Sequence, residues 1–362
     1  MTPSRYMACV LTVSALCLAG AWVLAHRMGM AFLESGYPVV VAKRNLIDRC
    51  QAGELVVLGD SRAEASIMPA KLPVTSANLA VGAIGPVEAY FIARAVLRCP
   101  TPPRLVLYAP SIVAYQEIGQ GLWQRAAKFG LVDYFDLRAI AHVAETLHDP
   151  SLAQVSTGDG LTGPIRDLAY SFGFPSIFTS SALDARFVGR YESNLRQLAA
   201  VTASRGQVVY PDGSGGPIVG MDAQVEHFDP EPIEVHYFDA TLRMLSQAGI
   251  HTIVLPIPIA AATAAALRPE VAHGVVQYVS ARTHTIPNVT DAYTSVDAWP
   301  DRLFSDGSHM NRQGAEIFSE RLARCVVNWL RDPGTGCDLT WRQDAAVTRP
   351  SSDASAGGKS RP

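Results

Sequence analysis

Hydrophobic positions along this chain fall into distinct regimes. Tyr6 to Ala25 is a run of twenty residues without a charge. At about 1.5 Å per helical residue, such a run spans the roughly 30 Å hydrocarbon core of a bilayer. From residue 53 to about 110, short apolar runs alternate with helical periodicity. Leu55–Leu58 and Arg104–Tyr108 read as buried strands, with Val74–Val81 as another strand between them and Val87–Arg98 as a helix opening on Pro86. The rhythm returns after residue 229, with a helix over Pro230–Ala248, a strand over His251–Ile257 and a helix over Ala260–Ala281. A short strand over Val289–Ala292 and an amphipathic helix over Arg312–Leu330 complete it. Strands alternating with helices predict an α/β fold around a central parallel sheet.

The middle of the chain breaks this rhythm. Helical patterns near Leu122–Phe129, Leu137–Leu147 and Ala182–Ala203 are separated by loops rich in Gly, Ser and Asp, such as Ser156–Gly163 and Pro211–Gly216. Residues 111–229 therefore read as an insertion or cap over the sheet. Met28 to Arg49 reads as a helical stalk interrupted near Gly36-Tyr37-Pro38, and the composition after Asp332 reads as a tail. The expected organisation is an anchor or signal peptide over 1–29, a stalk over 30–52, a domain over 53–332 and a disordered tail over 333–362.

Composition narrows the setting. The chain has 362 residues, 48% hydrophobic, with a net charge of −3 and no basic cluster, which argues for one sizeable domain and against nucleic acid as a partner. The N-terminal segment is either an uncleaved anchor, favoured by its length, or a signal peptide, for which Val23-Leu24-Ala25 resembles a cleavage site. Both place the rest of the chain outside the cytoplasm. Arg5 on one side and His26-Arg27 on the other orient the segment only weakly, and the bulky Leu16 before Cys17 disfavours a lipoprotein.

Of six cysteines, Cys9 and Cys17 lie in the apolar segment, leaving four in a compartment that permits disulfides. Cys50 and Cys99 each precede an expected strand. If those strands are neighbours, the two sulfurs start side by side, which allows a Cys50–Cys99 bridge with Cys325–Cys337 as its complement. Free buried thiols are the alternative. No Cys/His spacing points to a metal site.

The chemistry centres on Gly59-Asp60-Ser61, where the first strand ends on a turn that opens into a helix. Open α/β sheets place ligands at the carboxyl ends of their strands, and a serine there is suited to act as a nucleophile. It needs a base, and Asp306-Gly307-Ser308-His309 supplies an imidazole with a carboxylate three residues away, close enough to orient it. Either motif alone is an ordinary turn sequence. Together, in this order and context, they read as Ser61 nucleophile, His309 base and Asp306 orienting acid. Arg62 either meets an acidic or polar substrate in the cleft or forms a surface ion pair. Trp123, Tyr115, Tyr210 and Trp299 either stack on sugar rings or pack the core and rim.

Gly-Asp-Ser early and Asp-x-x-His before a last helix resemble the SGNH/GDSL hydrolase superfamily. The resemblance implies a flavodoxin-like three-layer fold and an oxyanion hole built from three blocks. These correspond to the Ser61 N–H, a Gly82, Ala83 or Gly85 N–H, and a third donor that is usually Asn. Here Tyr108-Ala109-Pro110-Ser111 holds no Asn, so Ser111 stands in its place. With an N-terminal anchor, Asn78-Leu79-Ala80 and Pro103-Arg104-Leu105-Val106-Leu107, the chain looks like the extracytoplasmic proteins of alginate or cellulose O-acetylation and of teichoic-acid D-alanylation. Asp and His follow Ser here, as in the D-alanylation type, whereas the alginate group can place them ahead of it.

The resemblance implies a cell inner membrane protein with a single pass and a periplasmic domain. It would move an acyl group, usually acetyl, through Ser61 to an exopolysaccharide, without a cofactor and with a membrane acyltransferase partner as donor. An esterase with the same triad is the alternative. A non-catalytic polysaccharide-binding or scaffold subunit is a further one.

Overall fold

The computed structural model describes residues 2–116, 121–154, 161–174, 177, 187–213, 219–332 and 334–341. Helix α1 spans Pro3–Arg27, and α2 (Gly29–Phe32) and α3 (Gly36–Asp48) follow. The first α/β units are β1 (Leu55–Gly59), α4 (Ser61–Ser66), β2 (Ser76–Asn78), α5 (Pro86–Leu97) and β3 (Leu105–Ala109). The middle region contributes α6 (Tyr134–Leu147), α7 (Ser151–Gln154), α8 (Gly163–Ser171) and α9 (Phe187–Ala203). The alternation resumes with α10 (Pro232–Gln247), β4 (His251–Val254), β5 (Ile259–Ala260), α11 (Ala261–Ala266) and α12 (Pro269–Thr283). It closes with β6 (Val289–Asp291), β7 (Ala298–Trp299) and α13 (Arg312–Trp329).

Five strands form one parallel sheet in the order β2-β1-β3-β4-β6, and β5 and β7 form a separate two-stranded ladder. Each central strand is buried on both faces, as a parallel sheet covered by helices requires. Along β1, Val56 and Leu58 face one core while Leu55 and Val57 face the other, and β3 alternates in the same way. Helices α5, α10 and α12, each opening on proline, line the first core, and α13 lines the second. The chain leaves β1 toward β2 on one side and later adds β3 on the other. A crevice therefore opens at the carboxyl ends of β1 and β3.

Several expected boundaries are corrected. The stalk is not a stalk: Val39, Val40, Ala42, Lys43, Leu46 and Ile47 of α3 are buried in the domain, and α9 packs along α2 and α3. The second strand is short: the Ala80 N–H turns back to Asn78 Oδ1 at 3.1 Å, while the Asn78 amide bonds the carbonyls of Ala63 and Ile67 at 2.8 Å each. The helix expected over 260–281 is divided before Pro269, since Arg268 takes the extended backbone that a following proline favours.

The tail starts later than expected. Cys337 is bridged to Cys325, Leu339 is buried, and Trp341 packs on Trp299 at 5.0 Å between ring centroids. Parts of the expected loops, helix and tail at 156–160, 182–186, 214–216 and 342–362 lie outside the described residues. The Cys50–Cys99 bridge is present too, with Cα atoms 5.4 Å apart, beneath the paired strands β1 and β3.

Candidate active site

Ser61 is the first residue of α4, delivered by β1 through Gly59 and Asp60. Gly59 has φ +147°, and a Cβ there would overlap the Ala109 carbonyl oxygen, so only glycine lets β1 turn this close to β3. Asp60 caps α4 by accepting the Arg62 N–H at 2.9 Å. Its other carboxylate oxygen accepts the Ser111 N–H at 3.1 Å, fastening the serine turn to the loop after β3.

The partners of Ser61 arrive from the far end of the chain. His309 Nε2 lies 2.7 Å from Ser61 Oγ, and His309 Nδ1 lies 2.8 Å from Asp306 Oδ2. Asp306 also accepts the N–H groups of Ser308 and His309 at 2.8 Å each. Partial burial pushes its pKa up, but these N–H groups and the imidazole more than offset that and hold the carboxyl below its usual value.

The loop is held from outside as well. Ser305 N–H bonds the His309 carbonyl at 2.8 Å, and Thr263 Oγ1 donates to the Gly307 carbonyl at 2.8 Å. Asn311 caps α13 through the Gly314 N–H and ties back to the Arg302 carbonyl. Tyr210 stacks flat on the His309 ring, with centroids 4.5 Å apart and planes 4° from parallel.

A cleft of about 300 Å³ opens beside this triad, lined by Ser61, Ala83, Ile84, Gly85, Ser111 and His309 among others. Ala83 sits at φ +63°, a left-handed conformation uncommon for residues other than glycine. Gly121 covers it so closely that a Cβ on Gly121 would overlap the Ala83 carbonyl oxygen. Backbone strain of this kind persists only where the surroundings enforce it. Gly82 is adjacent: a Cβ there would stand 3.5 Å from the Ser61 Cβ. Ser111 also lines the cleft, and its N–H is taken by Asp60.

Other expected site residues are placed differently. Tyr115 is fully buried among Phe228, Phe238 and Tyr278, and Trp299 is fully buried against Phe318 and Trp341, so neither ring meets a ligand. Trp123 is also buried, beneath the Arg166 guanidinium at 4.0 Å. Arg62 borders the cleft, but its guanidinium is committed to a buried ion pair with Asp222. Burial works against the Arg62 charge, and the Asp222 carboxylate more than compensates, raising its pKa.

Two buried polar pairs beneath the site had no local signal in the sequence. Lys43 of α3 is buried and donates to Glu64 of α4 and to the Ala80 carbonyl, bracing the serine helix from below. Burial holds this ammonium below its usual pKa despite Glu64. On α5, Glu88 accepts the Gly85 N–H at 2.8 Å, and Glu234 of α10 accepts the Val87 N–H at 3.1 Å. Burial pushes Glu88 up to about 7 and Glu234 well above the carboxylate range, so the pair behind the cleft wall holds protons near neutrality. Among the described residues, no group of three or more His, Cys, Asp or Glu side chains is placed to hold a metal ion.

Compared with known proteins, the chain matches no family model and no curated protein.

Proposed function

We propose that this chain is an extracytoplasmic serine acyl-transfer enzyme of the SGNH/GDSL type, an O-acetyltransferase acting on an exopolysaccharide such as cellulose or an alginate-like polymer. The observation that carries the reading is the unbroken hydrogen-bond chain from Ser61 Oγ through His309 to Asp306. The sheet order supports it, because parallel strands ordered 2-1-3-4-5 are the flavodoxin-like arrangement, with the ligand crevice at the β1/β3 switch point. Ser61 stands at that point.

In this reading His309 Nε2 takes the Ser61 proton as Oγ attacks the acyl carbonyl, and Asp306 stabilises the resulting imidazolium. The Ser61 N–H and an N–H from Gly82 or Ala83 receive the oxyanion, with the Ser111 hydroxyl as third donor. His309 returns its proton to the leaving group, leaving an ester on Ser61. A sugar hydroxyl, deprotonated by His309, then attacks that ester and frees the serine. The acyl donor comes from a membrane acyltransferase partner, and helix α1 keeps the domain at the periplasmic face of the inner membrane. The apolar, unburied window Pro3–Leu24 supports the membrane part of this proposal.

The test offers the full chain an activated acetyl ester with and without acetyl-free oligosaccharides of cellulose and of uronic acids. Acetylated oligosaccharide that forms at the expense of free acetate, and is lost in Ser61→Ala, is the expected result. Acetate release that ignores the saccharide, with no acetylated product, would assign an esterase instead.

A further inference from the structure

Helix α8 buries Ala169 and Tyr170 but leaves the rest of its apolar surface outside. Its charged residues Arg166 and Asp167 are buried, while Ile165 and Leu168 point outward, Ile165 with 68% of its surface exposed. In water the opposite arrangement is the favourable one. The exposed apolar surface does not stop at this helix. Just after α8, Phe172 and Phe174 are about half exposed, with ring centroids 6.5 Å apart. Phe172 also lies 6.4 Å from Tyr134 at the start of α6, and Tyr134 lies 5.7 Å from Phe135, which is 79% exposed. A continuous aromatic and aliphatic face thus runs from α8 to α6. Such patches on a soluble surface mark a partner.

The transmembrane candidate says which partner. Trp22 of α1 donates its indole N–H to the Phe172 carbonyl at 2.8 Å, and His26 Nε2 lies 3.3 Å from the same oxygen. Trp22 stands near the end of the apolar window Pro3–Leu24. If that window crosses a bilayer, Trp22 sits at the boundary between hydrocarbon and headgroups, the level where tryptophan and tyrosine concentrate. Its hydrogen bond holds Phe172 at that same level. The face that continues from Phe172 then meets lipid rather than bulk water.

We infer that the face formed by Phe135, Ile165, Leu168, Phe172 and Phe174 is a membrane-docking surface, seated in the headgroup region of the leaflet from which α1 emerges. Aromatic and aliphatic side chains there bury apolar area at shallow depth, as interfacial helices do. The domain lies down on the bilayer instead of swinging from its anchor. Docking also sets the height of the catalytic cleft. The Arg125 guanidinium rests against Gly36, which opens α3 just past the membrane exit, and it also approaches Gly82 beside Ser61. The inference rests on α1 crossing the membrane, not on the acyl-transfer reading.

The test uses the full chain in vesicles of phosphatidylethanolamine and phosphatidylglycerol, with and without lipids carrying a quencher either near the headgroup, read at residues 135, 174 and 320, or on the acyl chain, read at residue 17. Environment-sensitive fluorophores are attached to Phe135→Cys and, separately, Phe174→Cys in a Cys9→Ala/Cys17→Ala background. Glu320→Cys in the same background reports a site on α13, and native Cys17 in Cys9→Ala chain reports the span itself. The expected result is at least twofold quenching at residues 17, 135 and 174 and none at 320. Adding Ile165→Glu and Leu168→Glu to the Phe174→Cys chain should restore its emission, with the fold checked by circular dichroism. Quenching at Cys17 without quenching at 135 or 174 overturns the inference and leaves the patch to a protein partner. Absence of quenching at Cys17 overturns it as well, because the span then does not enter lipid.

Discussion

Tyr210 lies flat against the imidazole of His309, 4.5 Å away between centroids, and is set there by a bridge to Asn311, two residues beyond the histidine. The ring limits the rotation of the imidazole, and Asp306 holds its Nδ1. Burial raises the Tyr210 pKa, so the phenol stays neutral across the working range.

Stacking of this kind is worth about 0.5–1.5 kcal/mol, which corresponds to a rate effect of up to about tenfold. Tyr210→Phe should keep near wild-type turnover of an activated ester. Tyr210→Ala should lose about three- to tenfold in kcat with little change in KM. A loss in Tyr210→Phe equal to that in Tyr210→Ala would show that the hydroxyl matters and the stack does not.

The Arg62–Asp222 pair joins the serine helix to a loop 160 residues away in sequence, and both partners are buried. Removing one partner of a buried pair leaves an uncompensated charge, at a cost of roughly 3–5 kcal/mol. Asp222→Ala should therefore lower the thermal midpoint by many degrees. Arg62→Met/Asp222→Leu should recover much of it, because apolar replacements of similar volume leave no charge unpaired. A double variant as unstable as Asp222→Ala would show that the pair serves something other than charge compensation.

The Glu88–Glu234 pair predicts a pH dependence of stability. A carboxyl raised from 4.5 to about 7 binds its proton more tightly folded than unfolded. Stability from this group is thus full below pH 4.5 and is lost as pH rises through 7. Glu88→Gln keeps an acceptor for the Gly85 N–H but cannot ionise. Thermal melts at pH 5 and pH 8 should show the wild type losing more stability than Glu88→Gln across that interval. Parallel losses in the two proteins would show that Glu88 does not titrate there.

How much of this was legible in the sequence depended on whether the signal was local. The run Leu55–Leu58 ending on Gly-Asp-Ser carries its own strand, turn and cap, and the Asp306–His309 block fits within one loop, so β1 and the triad residues could be picked out from short stretches. The pairing of Cys50 with Cys99 followed from two adjacent strands starting at the same end. Long-range commitments were invisible. Arg62 looks like a cleft residue until Asp222 arrives from a distant loop, and α3 looks like a stalk until Glu64 neutralises its buried Lys43. Aromatic identity alone does not distinguish a core ring from a cleft ring, so both readings stay open in the sequence until Tyr115 and Trp299 are found buried and Tyr210 is found stacked on the His309 imidazole.

The most direct measurement on the central claim is active-site labelling of the folded full-length chain by a fluorophosphonate, with the adduct mapped by mass spectrometry. Phosphonylation of Ser61, absent in Ser61→Ala and slowed by roughly 10³-fold or more in His309→Ala, is the predicted result. A folded wild-type protein that takes no adduct on Ser61, or takes it equally well without His309, would contradict a Ser61–His309–Asp306 catalytic site.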